Sequence, residues 1–210
     1  MRRLPIYILL DTSGSMRGEP IEAVKAGLQS LVSSLRKDPY ALETVYLSVI
    51  TFDKDVHILC PLTELENFVI PEFEVPRSSP TNTGAALEIL FNSYKKDVVL
   101  STPTKKGDWL PIAVLMTDGS PSDTQLYNEM TEKLKGVRFA QFIALAAGPS
   151  AKIEPLKKLT TGIFSLDTME SNMFSKFWIW VSTAIQRQSQ SLNSERQELP
   201  PPPKEIKFVI

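Results

Sequence analysis

The chain has 210 residues, 42% of them apolar and 22% charged. That composition suits one folded domain with a sizeable core and excludes a disordered chain. The 23 basic and 24 acidic side chains leave a formal net charge of -1, so no polybasic field is present and nucleic acid is excluded as an expected partner. Cys60 is the only cysteine, which rules out an intrachain disulfide and reads as a structural thiol. The apolar stretch that follows Met1-Arg2-Arg3 is short and stops at Asp11, unlike a signal sequence, and no apolar run reaches the roughly 18 residues of a membrane span. The expected location is cytoplasmic, without membrane insertion.

Ile6 to Leu10 is a continuous apolar run bounded by polar loops, the pattern of a strand buried on both faces of a parallel sheet. Past a loop with Gly14 and Gly18, apolar residues recur at Ile21, Val24, Leu28, Leu31, Val32 and Leu35, the spacing of an amphipathic helix laid on a sheet. Val45 to Phe52 and Val56 to Leu59 flank the polar turn Asp53-Lys54-Asp55 and predict a hairpin, hence one antiparallel edge strand. Residues 61–80 carry four prolines and little periodicity, after which Ala86, Leu87, Leu90, Phe91 and Tyr94 mark a helix that begins near Thr83 and leads into the polar loop from Lys95 to Asp108.

Leu110 to Met116 is a second continuous apolar run, closed by Thr117-Asp118-Gly119. Ser122 and Gln125 follow in capping-box register before a helix carrying Leu126, Met130 and Leu134. A strand over Phe139 to Ala146, a short helix over Ile153 to Leu159, a strand over Ile163 to Leu166 and a helix over Phe174 to Ile185 complete the domain. The alternation predicts an α/β fold with a doubly wound, mostly parallel sheet, one antiparallel edge strand and helices on both faces. The domain is expected over residues 1–190 and a proline-rich tail over 191–210, with an extended Pro200 to Pro203 and an apolar ending, Ile206 to Ile210, expected to dock on the domain. Trp178 and Trp180 cannot share one helix face; either one is partly exposed, or one packs on the sheet and the other under the tail.

In open α/β sheets ligands bind outside the carboxyl ends of the strands, and two apolar strands here end in aspartate. Asp11 is followed by Ser13, Gly14 and Ser15, so that one carboxylate and two hydroxyls can face a common point. Asp118 supplies a second carboxylate, and the helix that starts after Thr81-Asn82-Thr83-Gly84 brings a threonine hydroxyl to the same edge. Such hard oxygens suit Mg2+ or Mn2+.

These residues resemble the von Willebrand factor A domains, whose metal-ion-dependent adhesion site combines Asp-x-Ser-x-Ser with a Thr and an Asp. The match is Asp11-Thr12-Ser13-Gly14-Ser15, Thr81 and Asp118. Thr81 is preferred to Thr83 because the family threonine usually stands six residues before an apolar helix position, here Leu87. The resemblance covers residues 4–186. It implies one Mg2+ (or Mn2+ or Ca2+) per domain, direct ligation by Ser13, Ser15 and Thr81, contacts from Asp11 and Asp118 largely through water, and a partner protein's Asp or Glu at the remaining position. Binding is then expected to be chelator-sensitive and pH-dependent below about pH 5. Arg3-Leu4-Pro5, Ser15-Met16-Arg17-Gly18-Glu19-Pro20, Lys106-Gly107-Asp108-Trp109, Asp118-Gly119-Ser120-Pro121-Ser122-Asp123 and the closing prolines look like the bacterial TerY-type proteins of tellurite resistance. That likeness implies an adaptor working with a protein kinase and a phosphatase in stress signalling.

Two other readings fit the same residues. A metal-dependent phosphohydrolase would use Asp11 and Asp118, but Ser13 stands where haloacid dehalogenase-type enzymes carry a second aspartate, and the one histidine, His57, lies on the edge hairpin. No catalytic residue and no enzymatic activity are therefore expected. A metal-independent scaffold would instead bind through the opposite end of the sheet and the tail, where Lys105, Lys106, Asp108 and Trp109 are candidates; the plainer alternative there is solvated charges and a core tryptophan.

Overall fold

The structure is a computed structural model that describes residues 2–77, 79–149, 151–168, 170–191 and 197–209. Its strands are Leu4–Asp11 (β1), Val45–Phe52 (β2), Val56–Glu64 (β3), Ile112–Thr117 (β4), Gln141–Ala147 (β5), Gly162–Leu166 (β6) and Lys207–Val209 (β7). They form one sheet in the order β3-β2-β1-β4-β5-β6-β7. The five inner strands run parallel, β3 is antiparallel to β2, and β7 is antiparallel to β6. The helices are Glu19–Leu35 (α1), Pro39–Thr44 (α2), Thr83–Asp97 (α3), Thr124–Lys135 (α4), Glu154–Leu159 (α5) and Ser171–Ser189 (α6).

The continuous apolar strands fill two cores at once. Along β1, Leu4, Ile6, Ile8 and Leu10 pack with the apolar faces of α1 and α6, while Tyr7 and Leu9 pack with those of α3 and α4. Every residue of β1 is buried, as the central position of a two-layered parallel sheet requires. The expected α/β architecture, with its antiparallel β3 edge and helices on both faces, is observed.

Four local features differ from the sequence reading. Strand β3 runs on to Glu64 through Pro61, which an edge strand tolerates because part of its N–H row needs no partner. Helix α2 was not anticipated; Asp38 accepts the Ala41 N–H at 2.9 Å with Pro39 in the first turn, a local cap signal hidden in a short segment. The Ser122 and Gln125 capping box does not form, since α4 begins at Thr124 without a side-chain cap. The tail contributes a second antiparallel edge: the Trp180 indole donates to the Pro200 carbonyl at 3.0 Å, Ile206 is buried, and the Phe208 ring lies 5.1 Å from that of Phe164. The apolar ending thus docks on its own domain, with Ile210 outside the described residues.

Of the two tryptophan arrangements, both side chains are buried. Trp180 packs in a tilted arrangement against Phe164, ring centroids 4.5 Å apart, between the sheet and the tail, and Trp178, 0% exposed, faces α1. A Cβ on Gly27 would lie 2.1 Å from Trp178 Cδ1, so the absence of a side chain there sets how closely α1 approaches α6. In Gly27→Ala the overpacking, about 1–3 kcal/mol, is expected to exceed the gain of roughly 1 kcal/mol in helix propensity. Chemical denaturation is expected to show a net loss of stability; unchanged or greater stability would show that the α1 and α6 contact gives way freely.

Candidate metal centre

From β1 the chain fills one side of the sheet with β2 and β3, then crosses back to lay β4, β5 and β6 on the other. Loops leaving the carboxyl ends of β1 and β4 therefore diverge and leave a crevice between them. Asp11 is the last residue of β1, Thr117 the last of β4, and Asp118 follows directly. The two acids singled out in the sequence thus stand on opposite sides of this switch point.

The Asp11 carboxylate organises its loop. One oxygen accepts the Ser13 N–H at 2.8 Å and the other accepts the Thr117 hydroxyl at 2.5 Å. The first bond folds Thr12 and Ser13 back over the strand end, and Gly14–Met16 continues as a single 3-10 turn anchored by the fully buried Met16. Gly18, at φ 88, then redirects the chain into α1. Ser13 and Ser15 are left with their hydroxyl oxygens 3.2 Å apart, and the Ser15 hydroxyl donates to Asp118 at 3.0 Å.

A third loop completes the cluster. The Thr81 N–H donates to the Ser122 hydroxyl at 3.0 Å and the Ser122 N–H donates to the Thr81 carbonyl at 2.8 Å, joining the start of α3 to the loop after β4. The Asp123 carboxylate accepts the N–H groups of Gly84 at 2.9 Å and Ala85 at 2.8 Å, so it caps α3 rather than its own helix. The Asn82 N–H donates to the Asp53 carbonyl at 3.0 Å, which ties the β2-β3 turn to the same edge. Thr81 Oγ1 lies 3.2 Å from where a Cβ on Gly119 would stand, beside Asp118. Thr83, by contrast, has its hydroxyl buried in the first turn of α3 without a hydrogen-bond partner.

Burial raises the pKa of Asp11 to about 6, chiefly through desolvation that outweighs its bonds from Thr117 and Ser13, with a smaller push from the Asp118 charge. Burial likewise raises Asp118, opposed by the Ser15 hydroxyl. Among the described residues no three His, Cys, Asp or Glu side chains gather into a metal-holding group. Among the described residues the two carboxylates instead meet hydroxyls, Thr117 on Asp11 and Ser15 on Asp118. That donor set fits a hard divalent ion. Arg17 and Glu19, which border the loop, are exposed.

Sequence reading brought out Asp11, Ser13, Ser15, Thr81 and Asp118, and the structure gathers them at one edge. It did not bring out Thr117, Ser122 or Asp123 as supports. Thr117 sits inside the Thr-Asp-Gly end of β4 and carried a usable signal. Asp123 did not, because its partners Gly84 and Ala85 lie 39 and 38 residues away along the chain.

A model of the von Willebrand factor type A domain matches residues 6–175. No curated protein is significantly similar in sequence. Among solved structures, the chain is similar to proximal thread matrix protein 1 from the mussel byssus, described with a zinc-occupied MIDAS motif, at TM-score 0.60 and 15% identity, covering 90% of this chain and 46% of that one. It is similar to a von Willebrand factor type A protein from Catenulispora acidiphila at TM-score 0.62 and 15% identity, covering 88% of this chain and 43% of that one. BatB from Bacteroides thetaiotaomicron is similar at TM-score 0.57 and 19% identity, covering 90% of this chain and 100% of that one. The chain thus spans about half the length of the first two proteins, and at these identities the likeness is one of fold. With the family match running through both loops of the candidate centre and most of the sheet, this chain belongs to the von Willebrand factor type A domain family.

Proposed function

We propose that the domain is a non-enzymatic, divalent-metal-dependent protein-binding module. In this reading Ser13, Ser15 and Thr81 hold the ion directly, Asp11 and Asp118 hold it largely through water, and an Asp or Glu of a partner protein completes the coordination. The observation that carries it is the meeting of the Ser13 and Ser15 hydroxyls with the Asp118 carboxylate in the crevice between β1 and β4. A bound divalent ion supplies a strong local electrophile for an incoming carboxylate. The chain's own part is to hold the donors ready: Thr117 and Ser13 fix Asp11, Ser15 orients toward Asp118, and Ser122 with Asp123 pins the Thr81 loop. Mg2+ is the proposed ion, with Mn2+ and Ca2+ sharing its preference for oxygen; the zinc described for the mussel protein makes Zn2+ a necessary comparison.

The TerY-like wording supports a finer proposal, that the domain serves in the bacterial cytoplasm as an adaptor for a kinase and a phosphatase in a tellurite-type stress response. Much of that wording shapes the metal edge: Met16 is fully buried beneath the loop, and Gly18 with Pro20 sets the start of α1. Among the described residues no helix is long and apolar enough to cross a membrane. The phosphohydrolase reading is disfavoured by the state of Asp11, which is 0% exposed with both oxygens already accepting hydrogen bonds, a poor posture for a nucleophile.

Tagged protein incubated with native lysate in Mg2+, in Zn2+ and in chelator, beside Asp11→Ala, tests the module directly. Partners are expected to be retained only with metal and an intact Asp11, with a kinase or phosphatase among them. Retention that ignores both metal and Asp11 would sink the proposal, and hydrolysis of a phosphate ester lost in Asp11→Ala would restore the enzymatic reading.

The raised pKa of Asp11 gives a second test, and places the pH window nearer 6 than the 5 expected from an ordinary carboxylate. A folded-state pKa above the unfolded value means that the metal-free fold binds the extra proton, so its stability falls as pH rises from about 4 to about 6. The penalty at neutral pH is on the order of 3 kcal/mol. Metal-free protein is therefore expected to melt at higher temperature at pH 5 than at pH 7.5, whereas excess Mg2+ raises the melting temperature at pH 7.5 and does little at pH 5. Asp11→Asn should abolish the metal response and be more stable than the metal-free parent at pH 7.5. A parent that is equally stable at both pH values would show that Asp11 carries no such burden.

A further inference from the structure

At the end of the sheet away from the candidate metal centre, a cavity of about 440 Å3 is lined by the end of α3, the loop that follows it and the residues leading into β4. β1 spans 8 residues, which separates the two ends by roughly 25 Å. Tyr94, Val98, Leu110 and Pro111 supply apolar lining. Val99 and Leu100, which also line it, are 46% and 66% exposed and add open apolar surface to its wall.

The charges around this cavity do not cancel. Asp108 is the acid among its lining residues, and its carboxylate is already engaged by Arg3 at 3.0 and 2.6 Å and by the Val99 N–H at 2.8 Å. Arg2, in contrast, donates to the carbonyls of Gly107 at 2.8 Å and Asp108 at 3.0 Å and lies 5.2 Å over the Trp109 ring. All of those partners are neutral, so they orient its guanidinium without compensating its charge. Arg138 is exposed and has no ion pair or hydrogen bond among the described residues. Exposed Lys95, Lys105 and Lys106 add to the positive field, and Asp97, at the end of α3, is the nearby acid left to offset it.

We propose that this cavity is a second protein-binding site that takes a partner segment presenting an Asp or Glu carboxylate beside a large apolar side chain. Two guanidinium groups offer planar donor forks that match a carboxylate, and the apolar lining next to them accepts an aliphatic or aromatic neighbour. The volume lies within the roughly 300–1,000 Å3 of pockets that hold ligands. Val99 and Leu100 form part of a concave wall, which suits an inserted side chain better than a flat lipid surface. Trp109 and Asp108 take no direct part: the tryptophan is buried beneath Arg2, and the aspartate is consumed in fixing the loop. The site is independent of the metal centre, so one domain could hold a different partner at each end.

The test screens the full chain, in chelator, against an array of peptides in which acidic and apolar positions are varied, together with vesicles of phosphatidylserine and phosphatidylcholine. Arg138→Glu removes the guanidinium without breaking any bond found among the described residues, Leu100→Asp removes the apolar contact, and thermal melts confirm that both variants fold. Peptides pairing an acidic with an apolar residue are expected to be selected, with affinity that falls with salt, drops about tenfold or more in Arg138→Glu, and is unchanged in Asp11→Ala. An array that selects no peptide, selection unaltered in Arg138→Glu, or a preference for the anionic vesicles over every peptide overturns the proposal. Loss of binding in Asp11→Ala whose melt shows it folded would overturn it as well, by tracing the peptides to the opposite edge of the sheet.

Discussion

The arrangement of the metal edge follows from one constraint: a carboxylate is placed at the end of a strand on which no residue is exposed. A charge removed from water needs hydrogen bonds or a counter-charge, and Asp11 finds the bonds in the Ser13 N–H and the Thr117 hydroxyl. Those bonds are strong enough to set backbone geometry but do not cancel the cost of burial, as the pKa of about 6 shows. The fold therefore carries an unfavourable group at a fixed place, and in the proposed module a bound cation would offset its cost. This is the usual direction of compromise at a binding site, where local stability is given up for readiness.

The rest of the edge can be understood as support for that group. The loop after β1 curls back because Asp11 holds Ser13, and this brings Ser15 to Asp118 across the crevice. The start of α3 is held from the loop after β4 by Ser122 and Asp123, and Ser15 joins the loop after β1 to the same edge, so hydrogen bonds tie together three segments distant in sequence. Deeper in, the close approach of α1 to α6 at Gly27 and the tail's hydrogen bond to Trp180 brace the layer beneath the β1 loop. In the proposed module, donors held by such a frame would lose little freedom on binding an ion, which is the benefit of preorganisation.

Much of this was legible in the sequence, for reasons that can be stated residue by residue. Strands buried on both faces are written as continuous apolar runs, so Ile6 to Leu10 and Leu110 to Met116 announced themselves, and the aspartates that stop them marked the carboxyl edge. The spacing of Ile21, Val24, Leu28 and Leu31 fixed α1 because one face alone meets the sheet. What escaped depends on contacts between distant segments. Ser122 looked like a local helix cap because its register with Gln125 was correct, yet its hydroxyl accepts the Thr81 N–H while Asp123 beside it takes the first N–H groups of α3. The packing of Trp178 and Trp180 was undecidable because it turns on Gly27 and Pro200, neither of which is near them in the chain. The tail was expected to dock, but its pairing with β6 is a long-range register that three residues cannot announce.

The two ends of the sheet also differ in how they treat charge, and the difference bears on what the molecule can do. At the carboxyl end a buried and a half-buried acid lie side by side; at the amino end two arginines are held or left free without an acid to meet them among the described residues. The near-zero net charge of the chain conceals this polarity, since composition averages over position. Any partner attracted to one end is repelled or ignored by the other unless it presents a carboxylate, which suits both: through a metal ion at one pole and through guanidinium groups at the other. Because β1 and β4 run between the poles as fully buried strands, the two sites are separated by a rigid layer rather than a flexible linker. Taken together, the two proposals let two acidic partners be held at once without competing for a single site.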